Sequence, residues 1–326
     1  MRMVSATDRP PYPVIIDTDP GLDDALAIFL ACASAELDVI LVTTVAGNVA
    51  VELTTANALG LLELLALHHI PVVAGAAKPL HRAPIEAANI HGADGMGGIV
   101  LPTPRRGPAG TDAAARIADE LARRPAGSVR ILALGPLTNL ANLCVQYPEA
   151  ASRVGAIVAM GGAVRERGNV TPFAEFNIAA DPEAARIVLR SQLPITLVPL
   201  DVTRQVAADR DWSARLAQKP GDVARLSSRV IEVYLSNIAR RRMASGVAAA
   251  QARPATFPMH DPCVTLFAIA GGLFGVERLP IEVVTDGSER DGQTLIDAVG
   301  VPIDVLTRAD AAKALTLMFE RLAALP

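Results

Sequence analysis

The segment "VIIDTDPGLDDALAIFLA", beginning at Val14, sets four carboxylates between an apolar strand-like run and an apolar helix-like run: Asp17, Asp19, Asp23 and Asp24. Alternate residues of a strand share a face, so Asp17 and Asp19 point the same way. Pro20 keeps Asp19 extended and Gly21 permits a tight turn into the helix. Asp23 is then expected as the N-cap, with Asp24 in the first turn. Capping does not account for all four. Two like charges about 4 Å apart repel by about 4 kcal/mol at an effective dielectric near 20. A helix end returns only about 0.3–1 kcal/mol per charge. Ionised carboxylates converging at a buried strand end therefore imply a bound cation or strongly raised pKa values. Hard oxygen ligands on a turn suit Ca²⁺ or Mg²⁺. An EF-hand loop is excluded, because the twelfth position from Asp17 is Ile28, where a bidentate Glu is required.

Two further segments carry candidate chemistry. In "FPMHDPCVTLFAIA", His260 and Asp261 precede Pro262 at the start of an apolar helix. An Asp before Pro is a common cap, but a His beside it can move a proton near neutral pH. In "GNVTPFAEFNIAADPEAA", Asn169, Glu175 and Asn177 lie in a loop before a helix expected to begin at Asp181. Glu175 and Asn177 are two apart, so in an extended segment both reach one side, with Phe173 and Phe176 anchoring the loop. Such a set of donors and acceptors suits a polyhydroxylated ligand such as a sugar.

The elements that must position these groups are legible as alternation. "VIID", "LDVILVTTVAG", "IPVVAG", "VRILALG", "VGAIVAMGG" and "PITLVPL" are apolar strand-like runs separated by helical patterns. That pattern predicts an α/β fold with a single open, mostly parallel, Rossmann-like sheet flanked by helices. Several runs end in small or polar residues ("TDPG", "AGN", "LGP", "MGG"), the carboxyl ends where such sheets place ligands. Residues 1–13 read as an irregular lead-in and 14–326 as one domain, with irregular insertions near 76–110 and 200–260. The segment from about Asp209 to Ala249 reads as mostly helical.

The 326 residues are 51% hydrophobic and carry a net charge of −4, which gives no electrostatic footprint for nucleic acid or an anionic membrane. No apolar run reaches the roughly 18 residues of a membrane span. Cys32, Cys144 and Cys263 are far apart, without metal or redox spacing, and read as reduced thiols. "MRMVSATDRPPYP" lacks the apolar core of a signal peptide. These features point to a cytoplasmic protein.

In order, "DTDPGLDDALAI", "VAGN", "LGPLTN", "MGG", "GNVTPFAEFN" and "HDP" resemble the inosine–uridine-preferring nucleoside hydrolase family, from about Val14 to the closing helix. The resemblance implies a Ca²⁺-dependent enzyme that splits the N-glycosidic bond of a ribonucleoside into ribose and free base. It implies Asp19, Asp24, Asp261 and the carbonyl of Leu134 as Ca²⁺ ligands, with Asp19 also the base that deprotonates a Ca²⁺-bound water. Asp23, Asn48 and Asn177 would hold the ribose 2′- and 3′-hydroxyls. Asn169 and Glu175 would bind the 5′-hydroxyl, and Met160 would pack beneath the sugar. His260 would donate a proton to the leaving base, His91 would lie near the base pocket, and Asp17 would support the motif from behind. A homo-oligomer, dimer or tetramer, is also implied.

The stretch before "HDP" departs from the family pattern, with Tyr234 the nearest aromatic upstream and Phe257 downstream. The Arg240–Arg242 run reads as a solvated helix face, with contact to a phosphate or a partner as the alternative, and the lone Trp212 as a surface or packing residue. Two other readings stay open. A strand ending in D-x-D is similar to haloacid-dehalogenase-like Mg²⁺ phosphatases, which would make Asp17 a nucleophile, though Pro20 stands where that family has Gly. A catalytically silent ribose- or nucleoside-binding protein is the third.

Overall fold

The computed structural model describes residues 10–244 and 255–326, the side chains of 242–244 excepted. The described strands are β1 (Tyr12–Thr18), β2 (Leu37–Thr44), β3 (Val72–Ala74), β4 (Arg130–Ala133), β5 (Ala156–Met160), β6 (Ile195–Val198), β7 (Ala207–Ala208), β8 (Phe257–Pro258), β9 (Phe274–Val283), β10 (Thr294–Ile296) and β11 (Val301–Ala309). Nine of them form one sheet in the order β10-β9-β11-β6-β5-β4-β1-β2-β3, and β7 pairs with β8 in a separate ribbon. Every pairing from β3 across to β11 is parallel, and β9 runs antiparallel to both its neighbours. The expected open, mostly parallel α/β sheet is therefore present.

Strand periodicity explains why the apolar runs are continuous. Val14 and Ile16 of β1 face one core while Ile15 faces the other. In β4 Leu132 joins the first core and Ile131 the second, and in β5 Val158 and Ile157 divide likewise. With both faces covered, alternation of apolar and polar residues disappears. The first layer includes the helices Leu22–Cys32 and His260–Ala270, which pack on each other, and the second includes Thr138–Gln146 and Pro182–Leu189. Burying a Leu or Ile side chain such as Leu26, Leu30 or Ile157 stabilises by about 1.5–3 kcal/mol.

The order β3-β2-β1-β4-β5-β6 reverses chain direction of progress between β1 and β4, so their carboxyl ends flank a crevice. Asp19, Asn48, Leu134 and the "MGG" turn all follow strands around that point. β1 begins at Tyr12, inside the expected lead-in, of which residues 1–9 lie outside the described set. Within the insertion near 200–260, the helices Arg210–Ala217 and Asp222–Ala244 match the helical character expected there, and a further short helix, Leu200–Thr203, precedes them. Trp212 is buried edge-on against Phe319 at 5.5 Å between ring centroids, a packing role.

Candidate functional site

The first acidic helix starts two residues earlier than its sequence suggests. It spans Leu22–Cys32 and its N-cap is Gly21, not Asp23. A single backward contact marks this start: the Asp24 carboxylate accepts the Gly21 N–H at 2.9 Å. Gly21 has an extended φ of −112°, so its role is space rather than handedness. A Cβ there would stand 2.5 Å from His91 Nδ1 and 2.7 Å from Asn48 Nδ2.

Asp24 is fully buried and also accepts from Thr18 Oγ1 at 2.5 Å and from Asn48 Nδ2 at 3.2 Å. Asp19, at the carboxyl end of β1, accepts the Asn48 N–H at 2.7 Å. The fit is close enough that a Cβ on Gly47 would lie 2.1 Å from Asp19 Oδ2. Asp261 arrives from the first turn of the helix His260–Ala270. Carboxylate oxygens of Asp23, Asp24 and Asp261 lie within 4.8 Å of one another. At that separation each charged pair repels by about 3 kcal/mol at an effective dielectric near 20. Burial first, and the neighbouring carboxylates second, push Asp19 and Asp261 well above the usual carboxylate range. Burial and the Asp24 charge raise Asp23 to about 8. An all-oxygen, charge-strained set of this kind fits a hard divalent cation. Asp19, expected among the ligands, lies outside this triple and has Oδ2 on the Asn48 N–H.

Asp17 stands apart. It is fully buried, and Oδ1 accepts from Thr43 Oγ1 at 2.5 Å and Asn139 Nδ2 at 2.8 Å, tying β1 to β2 and to the helix Thr138–Gln146. Burial raises it to about 6. It does not line the cavity described below, which removes the geometry of an Asp17 nucleophile. Asp17→Ala strands the Thr43 and Asn139 donors and is expected to cost about 1–3 kcal/mol of stability. A thermal melt measures this.

The loop with Asn169, Glu175 and Asn177 is not extended at its end. Glu175 caps a short helix, Phe176–Ala180, accepting the Asn177 N–H at 2.9 Å and the Gly162 N–H at 3.0 Å. Burial raises its carboxyl to about 7 against these bonds. The buried anchors are Ala174 and Ile178; Phe173 and Phe176 are half-buried. Asn169 Oδ1 accepts the Phe176 N–H at 2.9 Å. The Asn177 amide donates to the Leu134 carbonyl at 2.5 Å and to the Met160 carbonyl at 3.2 Å, joining the ends of β4 and β5.

Asp19, Asp23, Asn48, His91, Leu134, Met160, Asn169, Glu175, Asn177, His260 and Asp261 all line one cavity of about 450 Å³, with Asp24 directly behind it. That volume lies in the usual range for a small-molecule site. His91 Nδ1 accepts the Leu22 N–H at 3.0 Å, and burial lowers its pKa to about 4, so it is a neutral ring fixed against the first helix. Burial, then the Arg204 charge, lowers His260 to about 3. Burial therefore favours the neutral ring at His260, the residue expected to give a proton to the leaving base.

The cavity also draws on residues to which sequence reasoning gave no site role. Arg204, Tyr234, Ile238, Phe176 and Arg241 also line it. Arg240 and Arg241 are both exposed, as expected of that run; Arg241 also reaches the cavity, and Arg240 donates to Asn237 Oδ1 at 2.7 Å. The Arg242 side chain lies outside the described residues. Tyr234 packs edge-on to Phe257 at 4.6 Å. For Arg204 a signal existed: "PLDVTR" follows an apolar strand, at the end where such sheets bind ligands. Among the described residues no helix is long and apolar enough to cross a membrane.

The family model described as inosine-uridine preferring nucleoside hydrolase matches residues 14–316. A non-specific ribonucleoside hydrolase, RihC, of Shigella flexneri serotype 5b (strain 8401) is 41% identical over 301 residues, covering 91% of this chain and 93% of that one. A solved plant nucleoside hydrolase, PpNRh1, superposes with a TM-score of 0.87 at 34% identity, covering 97% of this chain and all of the other. A purine-preferring ribonucleoside hydrolase from Gardnerella vaginalis gives 0.87 at 28% identity, covering 96% and 98%. With sheet, cavity and sequence in agreement, the chain belongs to the inosine-uridine preferring nucleoside hydrolase family and is an N-glycosidase acting on nucleosides.

Proposed function

We propose that this chain hydrolyses purine and pyrimidine ribonucleosides to ribose and free base with Ca²⁺ as its cation. The observation that carries the reading is the convergence of Asp23, Asp24 and Asp261 within 4.8 Å beside one cavity that also holds Asp19, Glu175, two asparagine amides from the 169–177 segment and His260. Breadth of base is supported by the relative named non-specific, and by a cavity that presents Tyr234, Arg204 and Arg241 rather than a tryptophan.

Asp24, Asp261, Asp19 and the Leu134 carbonyl would hold the cation, with Asp23 close enough to share it. When bound, the cation offsets the carboxylate repulsion and acidifies a water beside the sugar. Asp19 takes the proton of the attacking water. Asp23, Asn48 and Asn177 hold the 2′- and 3′-hydroxyls, Asn169 and Glu175 the 5′-hydroxyl, and Met160 supports the sugar from below. The buried carboxylates stabilise the oxocarbenium-like charge that develops as the C1′–N bond breaks. His260, held neutral by its surroundings, assists the leaving base by hydrogen-bond donation rather than as an imidazolium. A cytoplasmic location suits the three unpaired cysteines. One catalytic domain over 14–326 and a dimeric or tetrameric assembly complete the reading.

Ribose release from a panel of purine and pyrimidine nucleosides, with and without a chelator, tests it. Release is expected for both base classes, abolished by chelation and restored by Ca²⁺. No release from any nucleoside with Ca²⁺ present would instead favour a binding protein.

A further inference from the structure

The helix Leu200–Thr203 follows β6 and is pinned to the Gly-rich turn after β5, because Asp201 accepts the Val164 and Arg165 N–H groups at 2.9 and 2.7 Å. Thr203 ends this helix, fully buried. Its hydroxyl meets His260 Nδ1 at 2.7 Å, 57 residues away in sequence. Among the described residues that hydroxyl has no other hydrogen-bond partner. The accounting then becomes restrictive. A buried O–H proton needs an acceptor, and the one within reach is Nδ1. Nδ1 accepts only when it carries no hydrogen, which places the ring hydrogen on Nε2. Because Nδ1 is taken by Thr203 and the ring lines the cavity, Nε2–H is the group left to face a ligand there.

We propose that Thr203 is a positioning residue that donates its hydroxyl hydrogen to His260 Nδ1, fixing the Nε2–H tautomer and aiming that N–H at the departing nucleobase. This rests on the assignment of His260 to the leaving base. In the step itself, the C1′–N bond breaks with its electron pair going to the base nitrogen. The water oxygen bonds C1′ and its proton goes to Asp19. Nε2–H hydrogen-bonds the base as charge develops on it. The base then takes a proton from solvent while Asp19 returns one, and His260 and Thr203 end as they began.

The test compares Thr203→Val, Thr203→Ser and His260→Ala on inosine, uridine and p-nitrophenyl β-D-ribofuranoside, whose nitrophenolate leaves as a stable anion needing no donor. Thr203→Val keeps the shape of the side chain and removes the hydroxyl. It is expected to lower kcat on both nucleosides by about 10- to 100-fold, the scale of a misplaced catalytic group, with KM changed by less than about threefold. Its turnover of the nitrophenyl riboside stays near that of the unmodified chain, which also shows that the site is folded. Thr203→Ser restores nucleoside turnover. Equal losses on all three substrates would make Thr203 a structural residue and overturn the proposal. Unchanged nucleoside kcat in Thr203→Val, with His260→Ala slowed, would remove the positioning role and leave the His260 assignment standing. Undiminished nucleoside turnover in His260→Ala would remove both.

Discussion

Asp19→Asn is expected to lower kcat on ribonucleosides by about 10²–10⁴-fold, the range for loss of a positioned base, while the fold stays intact. The amide oxygen of Asn can continue to accept the Asn48 N–H that Asp19 accepts at 2.7 Å, so the junction between β1 and the turn after β2 is retained. Removing one of several crowded negative charges also relieves repulsion in the cation-free chain. What the amide cannot do is take a proton from water. The direction of the Asp19 shift adds a condition: burial and the Asp24 charge favour its protonated form, so it works as a base only when a positive charge stands nearby. Steady-state kinetics with saturating Ca²⁺, beside a circular dichroism spectrum and melt, measure the effect. A variant with unchanged kcat would remove Asp19 from the base role.

The second large effect is thermodynamic. In the cation-free chain, burial holds Asp17 at about 6, Glu175 at about 7 and Asp23 at about 8, against ordinary values of 3.8, 4.5 and 3.8. Between those lower and upper values the folded chain binds more protons than the unfolded one, so stability falls as pH rises. The loss begins near pH 4 and is complete above about 8. A cation that binds the ionised carboxylates reverses the trend, since it competes with the same protons. At 100 times its Kd a ligand selective for the folded chain adds about 2.7 kcal/mol, and at 1,000 times about 4.1 kcal/mol. Differential scanning calorimetry at pH 5 and pH 8 is therefore expected to give a cation-free Tm that is higher at pH 5, and a Ca²⁺-induced rise in Tm that is larger at pH 8. A Ca²⁺ shift independent of pH, or no shift, would contradict the carboxylate cluster as the binding site.

How far the sequence revealed this arrangement depends on the range of the interactions involved. The strands around the site were legible because burial on both faces leaves unbroken apolar runs such as "VIID" and "ILVTTV". The aspartate cluster was legible because its charge is incompatible with its apolar flanks. Local geometry was less so. Asp23 reads as the better N-cap, and only the reach of Asp24 to the Gly21 N–H marks the earlier start. Glu175 and Asn177 look like alternate strand positions until Glu175 is seen to cap Phe176–Ala180. Thr203 carries no pattern that singles it out, and Arg204 only its place just after an apolar strand. Their significance arises from a tertiary contact to the helix His260–Ala270 and from facing the cavity, neither of which leaves a trace in spacing.

The carboxylates of Asp24 and Asp261 come from opposite regions of the chain, at the starts of two helices packed against each other, with Thr265 Oγ1 donating to the Ala27 carbonyl at 3.2 Å. Closing a loop from residue 24 to residue 261 costs much of its entropy before any contact within the cluster repays it. The site is thus a high-contact-order junction, completed only after the intervening strands have assembled. A cation bound there cross-links the first and last thirds of the chain. It acts as a reversible clasp whose release precedes separation of the two helices, so its hold on the protein should register more strongly in the rate of unfolding than in the rate of folding.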